Sequence, residues 1–219
     1  MLKMTGAQLP SNIPPHAYLL IQEWQKELEA EQKLRHHFYE IVDENSKMEF
    51  INGTIIFNSP VKKAHSVATG RIFSLVSGYA EYLELGWAGI EKILVSLTRN
   101  DYEPDVCFWR KEIADTFEEE QMHFPAPDFV VEVLSKKTAK IDRTVKFVDY
   151  EAHGVSEYWI VEPVKKVIEQ YVLINGNYHL RFKGSAGIIK SEVIAGFEIE
   201  VEDIFGNTPV LKLLKYLLK

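Results

Sequence analysis

The sequence predicts an α/β fold, a mixed β-sheet flanked by helices, and three of its patterns carry that prediction. Residues 128–135 are apolar on both alternating faces, which is typical of a central strand covered on both sides. Downstream, four apolar residues recur at helical spacing, Ile141, Val145, Val148 and Ala152. Asn52-Gly53 and Asn175-Gly176 are typical two-residue hairpin turns between β-rich runs.

The first predicted element is an N-terminal helical arm. Prolines make residues 1–15 an irregular lead-in, and a helix is expected over about 16–38. Leu20, Trp24 and Leu28 fall on one face of that helix, so the arm is amphipathic and suited to packing or dimerisation.

The size and composition predict one well-filled domain. The chain has 219 residues and is 46% hydrophobic, enough to build a core without disulfides or a structural metal. We expect a single domain over 1–219, with residues 1–40 as the arm and 41–219 as the core.

A hairpin and a helix are expected after the arm. Around Asn52-Gly53, strands are predicted over 47–51 and 54–58. An amphipathic helix then begins at His65 and runs to about Leu85. Its inward residues are expected to be Val67, Ile72, Leu75, Val76, Tyr79 and Leu83.

A second hairpin is predicted from the β-rich runs 92–97 and 103–109, around a polar Asn-Asp turn. Asp105 lies near the start of the second run, directly after Pro104. A proline there suits an edge or first-in-strand position better than a central one.

Further strands are expected to continue the sheet towards the C terminus. Gly154 ends the helix that follows strand 128–135, as a C-terminal cap does. The strands are predicted near 157–162, 166–174, 177–183, 188–194 and 197–202.

Glu132 is an anomaly in the predicted central strand. An ionised carboxylate that is buried without a partner costs several kcal/mol. The chain must therefore keep Glu132 protonated, pair it with a cation, or use it to bind a metal. The helix after this strand carries Lys146 on a flank of its apolar stripe and could bring it towards Glu132. A structural ion pair of these two residues is the alternative to a functional site.

The longest specific pattern lies between residues 127 and 163. It comprises Pro-Asp-Phe-Val-Val-Glu-Val-Leu-Ser at 127–135, then Asp142, Lys146, Tyr150 and Gly154-Val155, and Glu-Tyr-Trp-Ile-Val-Glu-Pro at 157–163. Upstream it is extended by residues 48–55, His65, Gly86 and Glu-Pro-Asp-Val at 103–106. Together these segments resemble the Uma-type family of putative restriction endonucleases, within the PD-(D/E)XK nuclease superfamily, over roughly residues 45–205.

The resemblance implies a restriction-endonuclease-like core that hydrolyses DNA phosphodiester bonds with Mg²⁺ or Mn²⁺. In that superfamily an Asp and an Asp or Glu on neighbouring strands bind the metal, and the matching residues are Asp105 and Glu132. A lysine usually follows two residues after the second acid, where this chain has Leu134. The Uma-type variant moves the lysine to the next helix, and Lys146 is the matching position.

Two further positions are implied by the same resemblance. Glu49 matches an additional catalytic acid near the metal, and His65 matches a polar group close to it. A helix-capping or core role for His65 is equally open.

The chemistry explains these residue types. Phosphodiester hydrolysis needs an activated water and a cation that offsets the charge developing on the phosphate oxygens. Carboxylates hold Mg²⁺ in oxygen coordination with positions left for water and substrate, and a lysine can orient the water or bind the phosphate.

The net charge is unusual for a protein that binds nucleic acid. It is formally −7 at pH 7, whereas nucleic-acid binding usually accompanies a basic surface. Residues 136–147 nevertheless hold five basic residues and one acid, as either a phosphate-facing patch or ordinary surface. A non-catalytic nucleic-acid or protein-binding module on the same fold, or a nuclease acting on RNA, therefore stays open beside the DNA endonuclease.

The remaining features concern location and assembly. A single cysteine, Cys107, argues for a reducing compartment. No apolar run approaches the roughly eighteen residues of a membrane span, and the N terminus lacks a signal-peptide core. We therefore expect a cytoplasmic homodimer whose partner is DNA.

Overall fold

The structure, a computed structural model, describes residues 14–43 and 46–219, so most of the predicted lead-in lies outside the described residues. The helices are α1 (Pro15–Ile41), α2 (Lys63–Tyr82), α3 (Lys111–Ala114), α4 (Ala139–Arg143), α5 (Val145–Ala152), α6 (Val201–Phe205) and α7 (Val210–Leu217). The strands are β1 (Met48–Ile51), β2 (Thr54–Phe57), β3 (Gly86–Ile90), β4 (Leu94–Ser96), β5 (Asp101–Tyr102), β6 (Val106–Arg110), β7 (His123–Phe124), β8 (Phe129–Val133), β9 (Glu157–Glu162), β10 (Val167–Ile174), β11 (Asn177–Gly184), β12 (Ile188–Lys190) and β13 (Glu198–Glu200).

A mixed sheet forms the centre of the fold, and within the described residues its order is β11-β10-β9-β8-β6-β3. Strands β8 and β9 are parallel, and the other neighbours are antiparallel. Helices α4 and α5 connect the parallel pair, because parallel strands need a crossover. The predicted mixed sheet flanked by helices is confirmed, with β8 as the doubly covered strand.

The two faces of β8 have different surroundings. The face towards α2 and α7 carries Phe129, Val131 and Val133. The opposite face, towards α5 and a smaller sheet, carries Val130, Glu132 and Leu134. Since successive strand residues alternate between faces, this register places Glu132 under α5.

The smaller sheet has the order β2-β1-β5-β4-β7 and supports the C-terminal part of α1. Phe38 of α1 is fully buried in a cluster with Met48, Phe50 and Leu94. The hairpin predicted at Asn52-Gly53 is confirmed, and both turn residues have the positive φ that such a turn needs (48° and 76°).

The second predicted hairpin forms, but its second strand is not the predicted one. β4 pairs with the short β5, while Val106–Arg110 crosses to the large sheet and lies between β8 and β3. The break falls at Glu103-Pro104, where proline has no amide hydrogen to continue a ladder. Asp105 consequently lies directly before β6, at the junction of the two sheets.

The buried residues of two helices differ in part from those predicted. In α5, Val148 is 61% exposed while Lys146 and Tyr150 are buried, because this face meets the Glu132 carboxylate. In α2, Ile72, Leu75, Val76 and Tyr79 are buried as predicted. Val67 and Leu83 lie near its ends and are exposed.

The C-terminal region is confirmed in part. β9, β10 and β11 match the predicted strands, and the predicted hairpin at Asn175-Gly176 joins β10 to β11. β12 and β13 are shorter than predicted and pair only with each other among the described strands. Helices α6 and α7, which cover the α2 side of the large sheet, were not predicted from the sequence.

Candidate active site

Asp105 lies where β6 begins, and its buried carboxylate accepts a hydrogen bond from the Val133 amide at 2.7 Å. That amide directly follows Glu132, so the bond ties the two acids together. His65 Nε2 lies 3.2 Å from one carboxylate oxygen and Lys47 Nζ 3.4 Å from the other. Burial works to raise the pKa of Asp105, but these contacts outweigh it and hold the pKa below its ordinary value.

Glu132 is buried on the face of β8 that meets α5. Its Oε1 accepts hydrogen bonds from Lys146 Nζ at 2.8 Å and from the Tyr150 hydroxyl at 3.1 Å. Burial raises the pKa of Glu132 well above its ordinary value, and neighbouring carboxylates add to the rise against the effect of Lys146. Glu132 therefore holds a proton more readily than an exposed glutamate does.

Lys146 joins three carboxylates. Its Nζ lies 2.7 Å from Glu49, 2.8 Å from Glu132 and 3.7 Å from Asp142. Burial by itself would lower the pKa of Lys146, but the three acids raise it well above its ordinary value, so the ammonium stays charged. Asp142, Lys146 and Tyr150 are four residues apart along α4 and α5, which puts them on one face.

Glu49 on β1 completes this arrangement from the smaller sheet. Besides Lys146, it accepts hydrogen bonds from the Glu103 amide at 3.0 Å and from Asn58 at 3.3 Å. The Glu103 side chain is also buried, and burial raises its pKa to about 7.

These residues line one small cavity of about 70 Å³. Its carboxyl groups belong to Glu49, Glu103, Asp105, Glu132 and Asp142. Its basic side chains are Lys47, His65, Lys137 and Lys146. Burial raises the pKa of Asp142 to about 6, as expected where acids are crowded away from water.

The donor set of the cavity fits a hard divalent cation. Glu103 Oε2 and Asp142 Oδ1 are buried oxygens without a hydrogen-bond partner. Within residues 14–43 and 46–219, no group of three or more His, Cys, Asp or Glu side chains is arranged to hold a metal ion. Two carboxylates are nevertheless sufficient for Mg²⁺, which typically keeps several waters and binds substrate phosphate as well.

The predicted site residues come together around this cavity. Asp105, Glu132, Lys146 and Glu49 all line it, and His65 contacts Asp105 directly. The other Pro-Asp pair, at 127–128, lies outside it.

The predicted basic segment 136–147 does not form one patch. Lys146 is buried in the cavity, and Arg143 pairs with Glu169 at 2.6 Å. Lys136, Lys137 and Lys140 remain exposed.

Lys47, Glu103 and Asp142 also line the cavity, although no role in the site was predicted for them from the sequence. Lys47 directly precedes β1 and lies two residues before Glu49, and Asp142 lies one turn before Lys146. These two spacings could have identified Lys47 and Asp142 as neighbours of the predicted site residues. The position of Glu103 depends on the turn that takes the chain between the sheets, which has no comparable signal.

Comparisons with known proteins agree with this architecture. A family model, Uma2, described as "Putative restriction endonuclease", matches residues 33–202. The crystal structure of a putative nuclease from Anabaena variabilis has a TM-score of 0.67 and 17% sequence identity, over 77% of this chain and 94% of that chain. At that identity the likeness shows the fold alone. No curated protein matches the chain significantly.

The described residues contain no candidate transmembrane helix. No helix there combines the length and the apolar character needed to cross a bilayer.

Proposed function

The chain belongs to the Uma2 family of putative restriction endonucleases, and we propose that it is a metal-dependent endonuclease that hydrolyses phosphodiester bonds of DNA. One observation carries this proposal. Asp105 and Glu132, from the adjacent ends of β6 and β8, line the same buried cavity as Lys146.

Each residue has a proposed role. Asp105 and Glu132 would hold Mg²⁺ or Mn²⁺ through their carboxylate oxygens, as such ions prefer. When bound, the ion activates a water and offsets the charge that develops on the phosphate oxygens. Lys146 keeps its charge and can orient that water or bind the scissile phosphate. Glu49 holds the Lys146 ammonium from the smaller sheet at 2.7 Å.

The neighbours of Asp105 position it. The Val133 amide, His65 and Lys47 all contact its carboxylate, which favours its ionised, ligand-competent form. Lys47 and His65 are therefore positioning residues for Asp105.

We also propose a homodimer formed through α1. Glu31, Arg35 and Phe38 dock this helix on the smaller sheet, and the same face continues towards the N terminus at spacings of three and four residues. On that continuation the apolar side chains are exposed: Leu20, Ile21, Trp24 and Leu28. This exposed apolar stripe continues the face of α1 that packs on the smaller sheet. It suits a second copy of the same helix, because a two-fold pair of helices buries one stripe against the other.

The activity is tested with purified protein on supercoiled plasmid, single-stranded DNA and RNA. We expect nicking or linearisation of DNA in Mg²⁺ or Mn²⁺ and none in Ca²⁺, whose looser geometry usually supports binding without chemistry. Asp105→Asn should abolish cleavage. Asp128→Asn, at the other Pro-Asp pair, is the matched control and should retain it, because Asp128 binds Arg110 outside the cavity.

The competing functions predict other outcomes. Cleavage of RNA alone would favour a ribonuclease. Retention of DNA without cleavage in every metal would favour a non-catalytic binding module. Cleavage that persists in Asp105→Asn would contradict the assigned site.

A further inference from the structure

A second cavity lies beside the carboxylate cavity, near the C-terminal ends of the parallel strands β8 and β9. Its volume is about 340 Å³, within the range of small-molecule sites. Its apolar wall is formed by Ala64, Leu134, Ala139, Pro163 and Val164. This wall can cover the flat face of an organic ring, and the cavity is large enough for a nucleobase.

Lysines surround this apolar wall. Lys62, Lys136 and Lys165 line the cavity and are exposed, whereas Glu162 is the acidic residue in the lining. Within the described part of the chain, none of the three lysine side chains has a hydrogen bond or an ion pair. Unpaired positive charge concentrated at one cavity, in a chain of net charge −7, favours an anionic ligand.

The two cavities are connected through shared residues. His65 lines both of them, and it contacts Asp105 at 3.2 Å. Val133 lines the first cavity, and Leu134 and Ser135 line the second. A nucleotide strand whose phosphate lies at Asp105 and Glu132 would therefore place a neighbouring nucleotide at the second cavity.

We propose that the second cavity binds an unpaired nucleotide next to the scissile phosphate, so that the substrate is single-stranded or locally unpaired DNA. This inference rests on the proposed function. The apolar wall receives the base, and Lys62, Lys136 and Lys165 bind the flanking phosphates. A base inside a duplex is stacked and paired, and it cannot enter a cavity without leaving the helix.

The test measures binding by fluorescence anisotropy in EDTA, so that hydrolysis plays no part. The probes are a labelled oligothymidylate, a duplex of the same length and an abasic strand of the same length. We expect the oligothymidylate to bind about tenfold more tightly than the abasic strand, the scale of one base stacked on the protein. The duplex should also bind more weakly than the oligothymidylate.

A matched pair of double variants locates the binding. Lys136→Glu with Lys165→Glu should weaken oligothymidylate binding about tenfold or more through lost phosphate contacts. Lys140→Glu with Lys166→Glu makes the same charge change in the same two segments, on residues that do not line the cavity. This control should change the affinity much less.

Three outcomes would overturn the inference: equal affinity for the duplex, equal affinity for the abasic strand, or equal losses in the two double variants. These outcomes are separable from failure of the proposed function. Absence of cleavage in every metal, with the single-strand preference intact, would reject the nuclease and leave a nucleotide-binding cavity. Cleavage of duplex plasmid that is unaffected by the Lys136 and Lys165 changes would reject the cavity's role alone.

Discussion

Lys146 and Glu132 form a buried ion pair, with Nζ 2.8 Å from Oε1. The pair compensates for a carboxylate in an otherwise apolar strand, which is one of the alternatives that the sequence left open. The same carboxylate is a proposed metal ligand, so both alternatives concern one group. Because Lys146 also contacts Glu49, it can remain paired when Glu132 binds a cation.

The proposed metal site predicts a ligand-dependent stability. Mn²⁺ or Mg²⁺ should raise the melting temperature, because a ligand that binds only the native state stabilises it, by about 2.7 kcal/mol at a hundredfold excess over Kd. Glu132→Gln should abolish the increment, measured by calorimetry or thermal fluorescence. Glu112→Gln, an exposed change in α3, should keep it. An undiminished increment in Glu132→Gln would exclude Glu132 as a ligand.

Lys146→Met should affect both stability and turnover. Removing the ammonium leaves buried carboxylates unpaired, which costs about 3–5 kcal/mol of unfolding free energy where a buried pair is broken. Turnover should fall by about a hundredfold or more through loss of a positioned charge. Denaturant unfolding and single-turnover plasmid cleavage measure the two effects. Lys140→Met is the exposed control, and parental cleavage by Lys146→Met would show that the lysine has been misassigned.

Glu169 predicts a pH-dependent contribution to stability. Burial works to raise its pKa, but hydrogen bonds from Arg143, Tyr171 and Lys183 outweigh it and lower the pKa to about 2, from 4.5. A lowered native-state pKa stabilises the fold above about pH 4.5, and this contribution is lost as the pH falls from 4.5 towards 2. Glu169→Gln should therefore be less stable than the parent at neutral pH.

The difference should shrink in acid. Chemical denaturation at neutral pH and near pH 3 measures the difference. The acidic condition is chosen because pH 3 lies between the ordinary pKa of 4.5 and the native-state pKa of about 2. Glu192→Gln, whose exposed carboxylate lies 3.6 Å from Arg181, should change stability little at either pH. A constant difference between the parent and Glu169→Gln would reject this explanation.

The proposed dimer predicts the effect of a charge on α1. Trp24→Glu places a carboxylate in the exposed apolar stripe and should convert a dimer into a monomer, as measured by size-exclusion chromatography with light scattering. Gln22→Glu adds the same charge on the opposite side of the helix and should leave the dimer intact. A monomeric parent, or equal masses for Trp24→Glu and the parent, would contradict the proposed interface.

The sequence by itself determined the local structure and the candidate ligands. A run that is apolar on both faces identified β8, and the Asn-Gly turns indicated two hairpins because few residues adopt positive φ at low cost. A carboxylate in an apolar strand marked Glu132, since burial of a charge requires a partner. The helical pattern pointed to Lys146 as a possible partner of Glu132, and the family resemblance implied catalytic roles for Asp105, Lys146 and Glu49. Their catalytic roles and the single-domain division stay predictions.

Only the tertiary structure decided which faces and sheets meet. The β6 segment had β character from its sequence, but its partner depended on a non-local pairing that no local pattern encodes. The buried face of α5 is polar because Glu132 and Glu49 lie beneath it, so the apolar stripe predicted a wrong orientation for Val148. The buried position of Glu103 and the lysine-lined cavity also depend on distant segments that come together in the fold. The sequence pattern does not show which charges these contacts bring close to one another.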